Sequence, residues 1–422
     1  MSRFCRLICP CVLFALACGY PGRAATVTWG GPRSGDLNVG SSWSSGIAPR
    51  SASTTAQFGG DFGSLTCTTT ITAGSFYFTS GFSSGTITVR ETGTLNLGSV
   101  VNDSSFTPIF RITGGLLHMS AASVSLGSAR YEVESGGTLK LFQPSNPDGS
   151  AATIVMNGGT LTTTNSVDSG TISLGSLAGT GTVNTGAASL VLGALGTSTT
   201  FSGSIGTAAS VTKVGGGTWT LTGASTYAGA TTISAGTVKI NNASGSAFGT
   251  GSVTVAEGAT LTGAGKFTGA LSNLGTYAPG NSPALTTLSS FTQGSTGTLA
   301  LELGGLTRGT GYDALDITGA ATFGGTLTIS LINDFNPATG ATFNLFDWGS
   351  VTGTFNTINL PTLATGLSWN LDALYTAGEI SVGASAIPEP STYAAVLGAA
   401  ALGFGLWRRG RQRRAGASGR SV

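Results

Sequence analysis

Charge is scarce in this 422-residue chain, and histidine is nearly missing. Only 9% of residues are Asp, Glu, Lys or Arg, against roughly 25% in ordinary globular proteins. The one histidine, His118, excludes a two-His metal site within the chain. Of five cysteines, Cys5, Cys9, Cys11 and Cys18 crowd the start of the chain and leave Cys67 alone in the body. The body therefore has no intrachain disulfide and no Cys-based metal site. It also lacks a phosphate loop and Gly-Gly-x-Gly-x-Asp calcium repeats. No stretch of it shows a helical period of 3.6. Nine of the nineteen bases lie at the two ends, so residues 26–386 hold 16 acids and 10 bases. A body of that sign argues against nucleic acid as a partner.

Glycine, threonine and serine are abundant, with Gly alone at 68, and together they supply more than two residues in five. Apolar residues remain at 40%, enough for a packed core. One tripeptide recurs, Gly-Thr-apolar. Examples are Gly93-Thr94-Leu95, Gly137-Thr138-Leu139, Gly159-Thr160-Leu161, Gly217-Thr218-Trp219 and Gly325-Thr326-Leu327. It usually opens a short alternating segment, such as Thr218-Trp219-Thr220-Leu221-Thr222. Alternation of period two with β-branched residues predicts strands, and glycine supplies the corners. The strands are too many for one sandwich and too poor in charge for ordinary outer sheet faces. Thr, Ser and Asn stack in ladders when rungs lie about 4.8 Å apart. The expected fold is all-β, a right-handed parallel β-helix (solenoid) with rungs of roughly 20 residues. Irregular spacing between Asn102 and Pro147 predicts a loop or distorted coils there.

The ends read as addresses. Arg3 and Arg6, an apolar run from Leu7 to Ala17, and Gly22 and Ala24 before Ala25 make a secretory signal helix over residues 1–25. Ala15-Leu16-Ala17-Cys18 loosely resembles a lipoprotein signal, with Cys18 as the alternative acylated end. At the other end, Pro388-Glu389-Pro390 precedes an apolar run from Tyr393 to Trp407 and then Arg408, Arg409, Arg411, Arg413 and Arg414. Fifteen helical residues span about 22 Å, short of a ~30 Å bilayer core unless flanking arginines snorkel. The expectation is a C-terminal transmembrane helix with a cytoplasmic basic tail. Residues 387–414 closely resemble the PEP-CTERM sorting signal of Gram-negative bacteria. That resemblance implies recognition of Pro388, Glu389 and Pro390 by an exosortase, with transient anchoring in the inner membrane before release to the surface.

A second resemblance lies in the body. Lys213-Val214-Gly215-Gly216-Gly217-Thr218-Trp219-Thr220-Leu221-Thr222-Gly223, with Tyr227, Gly229, Thr231, Ile233, Gly236, Thr237 and Val238 after it, is similar to the autotransporter-associated β-strand repeat. The repeat implies glycine corners, Trp219, Leu221 and Ile233 pointing inward, and Tyr227 at a turn. The expected organisation has degenerate solenoid repeats over 26–210, the repeat region over 211–303, a β-rich cap over 304–386 and the sorting signal over 387–422. The opening segment with Trp29, Trp43, Gly46 and Pro49 is expected to cap the other end. No autotransporter-type barrel is expected within this sequence.

Candidate chemistry is thin. Asp313 and Asp316 form the best carboxylate pair, but three positions apart on an extended segment they point to opposite faces. His118 alternates with apolar neighbours and reads as a surface strand residue; Cys67 reads as a small buried one. No catalytic residue, cofactor or metal is expected. The favoured function is a non-enzymatic, exosortase-sorted surface or extracellular-matrix protein, serving adhesion, matrix structure or exopolysaccharide association. The alternative is a carbohydrate-active β-helix enzyme, which requires carboxylates and a base converging on one face.

Overall fold

A computed structural model describes residues 25–31, 34–59, 62–82, 84–103, 105–120, 124–142, 148–163, 169–385 and 390–417. The expected signal over residues 1–25 lies outside them apart from Ala25, which opens the first strand, Ala25–Thr28. Pro388 and Glu389 also lie outside. The chain divides into two compact units, Met1–Val253 and Thr254–Val422.

The first unit is a parallel β-solenoid. Its winding is visible in one register series. Thr94 stacks on Leu116, then Thr138, Thr160, Thr182 and Ser204, at an unchanging step in the sequence. One position along, Leu95, Leu117, Leu139, Leu161, Val183 and Ile205 form an inward column, all buried. The Gly-Thr-apolar tripeptide is thus a corner, an outward step and an inward step. Each buried aliphatic side chain contributes about 1.5–3 kcal/mol. Beside this column an aromatic one runs through Phe58, Phe78, Phe110 and Tyr131, with ring centroids 5.2, 6.2 and 5.2 Å apart.

Rung stacking dictates the glycine at the corner. A Cβ on Gly93 would sit 2.0 Å from the Cys67 carbonyl oxygen, and one on Gly137 would sit 2.1 Å from that of Ile112. No real Cβ approaches an oxygen so closely, so a larger residue forces the rungs apart. Of the loop or distorted coils expected between 102 and 147, the described part shows irregular segments at 105–108 and 126–129, while the strands they join keep their register. Ile109–Thr113, Arg130–Glu134 and Asp148–Thr163 stack in regular parallel register, with one bulge beyond Val133. At the start of the unit, Trp29 and Trp43 meet edge to face at 5.1 Å, and the Trp43 indole N–H donates to the Leu37 carbonyl.

The second unit repeats the same design. Thr260, Thr276, Thr298, Thr326 and Thr357 stack in one outward column. Leu261, Tyr277, Leu299 and Leu327 are buried beside it. Within the segment expected as a cap, parallel strands persist through Phe346–Gly353 and Thr357–Asn359. An antiparallel sheet of Thr342–Asn344, Glu379–Ala384 and Leu367–Asn370 joins them in the sequence. The unit also contains the helix Pro390–Ala417.

That helix corrects one expectation. Among the described residues no helix is long and apolar enough to cross a membrane. The apolar run is diluted by Gly398, Gly403 and Gly405 and meets Arg408, Arg409 and Arg411 before a bilayer's length is reached. The fold therefore lends no support to inner-membrane anchoring. Its side chains from Val396 to Arg411 are exposed, and Arg411 lies 4.6 Å over the Trp407 ring.

Candidate functional site

Seven charged residues of the first unit, Arg90, Glu91, Arg111, Arg130, Glu132, Glu134 and Lys140, lie around one corner of the solenoid. Gly114, Gly136 and Gly158 stand there one per rung, with φ of 79°, 77° and 92°. Only glycine adopts this left-handed backbone without strain. Beside them run Gly93, Gly115, Gly137 and Gly159, held to glycine by the preceding rung's carbonyls. Two adjacent glycine columns leave a strip whose own residues carry no side chains. The strip is the floor of a trough.

Two adjoining clefts open along it, sharing Glu91 and Thr92. The one of about 510 Å³ is lined by Gly114, Gly115, Gly136, Thr94, Thr138 and Lys140 among others. The one of about 660 Å³ is lined by Arg90, Arg111, Thr88 and Thr113, with Ser64 and Thr68 at its far end. The Glu91 side chain lies over Gly114, where a Cβ would come within 2.6 Å of its Cγ.

The flanks differ. On one, outward residues stack as Thr88, Arg111 and Glu132. Glu132 accepts from Arg111 at 2.7 Å and from Arg130 at 2.7 Å. Burial pushes the Glu132 carboxyl up, but the hydrogen bonds and charges of Arg130 and Arg111 outweigh it and hold the carboxyl below its usual range. Glu134 accepts from Asn157. On the other flank, Asn96, His118, Lys140 and Thr162 form one column. His118 is half-buried, and its Nε2 is buried with no hydrogen-bond partner. Burial, then the neighbouring Lys140 charge, pulls its pKa below the usual value, so the ring is neutral near pH 7. Arg90 is exposed and has no ion-pair partner among the described residues.

The structure does not bring Asp313 and Asp316 together as a carboxylate pair. Asp313 is fully buried in the second unit. Its Oδ1 accepts the Ala284 N–H at 2.7 Å and its Oδ2 the Glu302 N–H at 2.8 Å. Burial pushes its carboxyl up to about 7. Asp316 turns outward and stacks on Asp347, and Arg308 reaches both, at 2.7 and 3.1 Å. Among the described residues no group of three or more His, Cys, Asp or Glu side chains is arranged to hold a metal ion. Cys67 is buried, and burial beside Asp36 raises its thiol to about 12, far from the reactive thiolate range.

The repeat segment folds as its pattern implies. Trp219, Leu221 and Ile233 are buried inward. Tyr227 is buried beside a turn, its hydroxyl 2.7 Å from that of Thr231. Lys213 is a surprise. It takes an inward position between Leu192 and Ile233, and its Nζ curls back to donate to the carbonyls of Val214, Gly215 and Ala235. Pro390 opens the C-terminal helix, and Arg408, Arg409, Arg411, Arg413 and Arg414 all lie on it.

The sequence analysis did not anticipate the trough, because its parts are scattered over several rungs. The regular recurrence of paired glycines, Gly114-Gly115, Gly136-Gly137 and Gly158-Gly159, was the available signal.

No curated protein matches the chain. Residues 211–240 match the passenger-associated transport repeat, a β-strand repeat associated with autotransporters. The match is narrower than the expected 211–303. A parallel β-solenoid bearing a passenger-type repeat is the build of an exported, surface-related protein.

Proposed function

We propose that this chain is a non-enzymatic surface or extracellular-matrix protein, displayed as a passenger-like solenoid that serves adhesion, matrix structure or association with exopolysaccharide. The observation that carries the reading is the passenger-associated repeat at 211–240 within a parallel solenoid. Right-handed winding is part of the proposal, because parallel crossovers take that hand in about 98% of cases.

Sorting by an exosortase belongs to the same reading. Its support is the sequence alone: Pro388, Glu389 and Pro390, then an apolar run and an arginine tail. The test uses one tag in the body and one after Val422, in strains with and without exosortase. The reading expects the body tag at the surface without the tail tag, and only when the enzyme is present. Both tags together inside the cell in either strain would overturn it.

A second reading, a carbohydrate-active enzyme, draws on the meeting of Asp316, Asp347 and Arg308. It predicts polysaccharide cleavage that Asp316→Asn and Asp347→Asn each reduce by at least a hundredfold. Release of no reducing ends from a panel of polysaccharides would remove it.

A further inference from the structure

We propose that the glycine-floored trough of the first unit is a binding site for an extended anionic polysaccharide. The inference rests on the surface-protein reading only for where the glycan is met; the site itself is argued from its geometry.

Four features carry it. First, paired glycines form much of the floor: Gly114, Gly115 and Gly136 line it, so a chain lying along the solenoid axis meets backbone groups there, with the Glu91 side chain over Gly114 the exception. Second, the lining spans five successive rungs, from Thr68 to Thr162. Four steps of about 4.8 Å give about 19 Å, room for a short run of sugars. Third, hydroxyls recur along it, from Thr92, Thr94 and Thr138 in one cleft and Thr88 and Thr113 in the other. They supply donors and acceptors at rung spacing. Fourth, the charge is placed for an anion. Arg90 stands unpaired in one cleft and Lys140 in the other, beside an Arg111 that Glu132 pairs, and the one carboxylate in the lining is that of Glu91. This excess of cations sits in a body with more acids than bases.

No aromatic ring lines either cleft among the described residues. Stacking on the apolar face of neutral sugars is therefore absent, and recognition falls to charge and hydroxyl groups. Arginine binds planar carboxylates bidentately, and Arg90 has no competing ion pair among the described residues. Arg111 is held in place by Glu132, so its remaining donors are already oriented.

The test is direct binding to the purified full chain. The probes are labelled oligomers of a uronic acid, a sulfated glucan, neutral dextran and single-stranded DNA, each at low and physiological salt. The expected result is binding of the uronate or the sulfated oligomer, weakened at least tenfold by the double variant Arg90→Gln/Lys140→Gln. Lys239→Gln, outside the trough, leaves binding unchanged. Neither trough residue has an ion pair among the described residues, so the variant keeps its fold, checked by circular dichroism. Which of the two anionic glycans binds assigns carboxylate or sulfate as the group recognised. Three results overturn the proposal: binding of neither glycan, binding that the double variant leaves intact, or equal binding of neutral dextran or DNA. Display at the surface with no glycan binding sinks the trough alone. Glycan binding without display sinks the surface reading alone.

Discussion

Asp313 offers a sharp test of the packing described for the second unit. Its carboxylate is fully buried and tied to two backbone N–H groups, from Ala284 and Glu302. Burial raises its pKa from 3.8 to about 7, and the two hydrogen bonds hold the rise below what burial alone would give. A raised acid pKa means that the folded state prefers the neutral form. Stability from this group is therefore full below pH 4, declines as pH rises toward 7, and levels off above. The ceiling is about 4 kcal/mol, from roughly three pH units at 1.36 kcal/mol each. Hydrogen exchange at the amides of 284 and 302 reads this locally, which suits a repeat fold whose units need not unfold together. After correction for intrinsic rates, the opening free energy at these amides falls by about 1–4 kcal/mol between pH 4 and 8. In Asp313→Asn the slope disappears, and protection at pH 4 is lower by about 1–3 kcal/mol, because an amide NH₂ faces one of the two N–H donors. His118 titrates with the opposite sign, since its lowered pKa yields stability that is lost as pH falls, but it lies in the other unit. Equal pH slopes in wild type and Asp313→Asn, or protection that rises from pH 4 to 7, refute the reasoning.

Three other outcomes are expected. Gly137→Ala places a Cβ 2.1 Å from the Ile112 carbonyl oxygen and lowers stability by about 1–3 kcal/mol or more, whereas Gly216→Ala, with nothing within 4 Å, is near neutral; denaturant midpoints compare the two. Leu139→Ala opens a cavity in the inward column and loses about 2–5 kcal/mol by the same measurement. Lys213→Met fits the inward column but leaves the carbonyls of Val214, Gly215 and Ala235 without their donor. Burial lowers the Lys213 pKa, so wild-type stability rises as pH climbs toward 10.5, and a denaturation series in alkali shows that rise absent from the variant.

The solenoid was legible because its rule is local. In Gly137-Thr138-Leu139 the glycine must turn, the threonine must face out and the leucine must face in, and period two says so without any tertiary knowledge. The repeat at 211–240 was legible for the same reason. What stayed hidden depends on register between rungs. Asp313 looked like half of a carboxylate pair, yet its partners are the backbone amides of Ala284 and Glu302, both brought in from earlier strands. Lys213 broke the inward pattern, and only the stacking of Ala235 beside Gly215 shows where its ammonium goes. The C-terminal helix was anticipated, but it is not apolar enough for the span read from it.

The trough follows from the same constraint that builds the coil. Parallel rungs of equal length bring identical corner positions into vertical line, and stacking admits only glycine at Gly115, Gly137 and Gly159. A smooth groove is then unavoidable wherever several such corners are consecutive. What is not unavoidable is the company it keeps. Arg90, Arg111, Arg130 and Lys140 are four of the ten bases in residues 26–386, and each occupies an outward position whose register partner on a neighbouring rung is threonine: Thr113, Thr88, Thr153 and Thr162 in turn. Glu132 and Glu134 balance two of these bases and orient them, while Arg90 and Lys140 are left facing the groove. Folding fixes the glycines; it does not ask for the cations. Threonine at positions 90 and 140 therefore preserves the solenoid and removes the anion-binding surface, and a wild-type-like unfolding midpoint together with lost uronate or sulfated-glucan binding in Arg90→Thr/Lys140→Thr is the separation of the two roles that this argument requires.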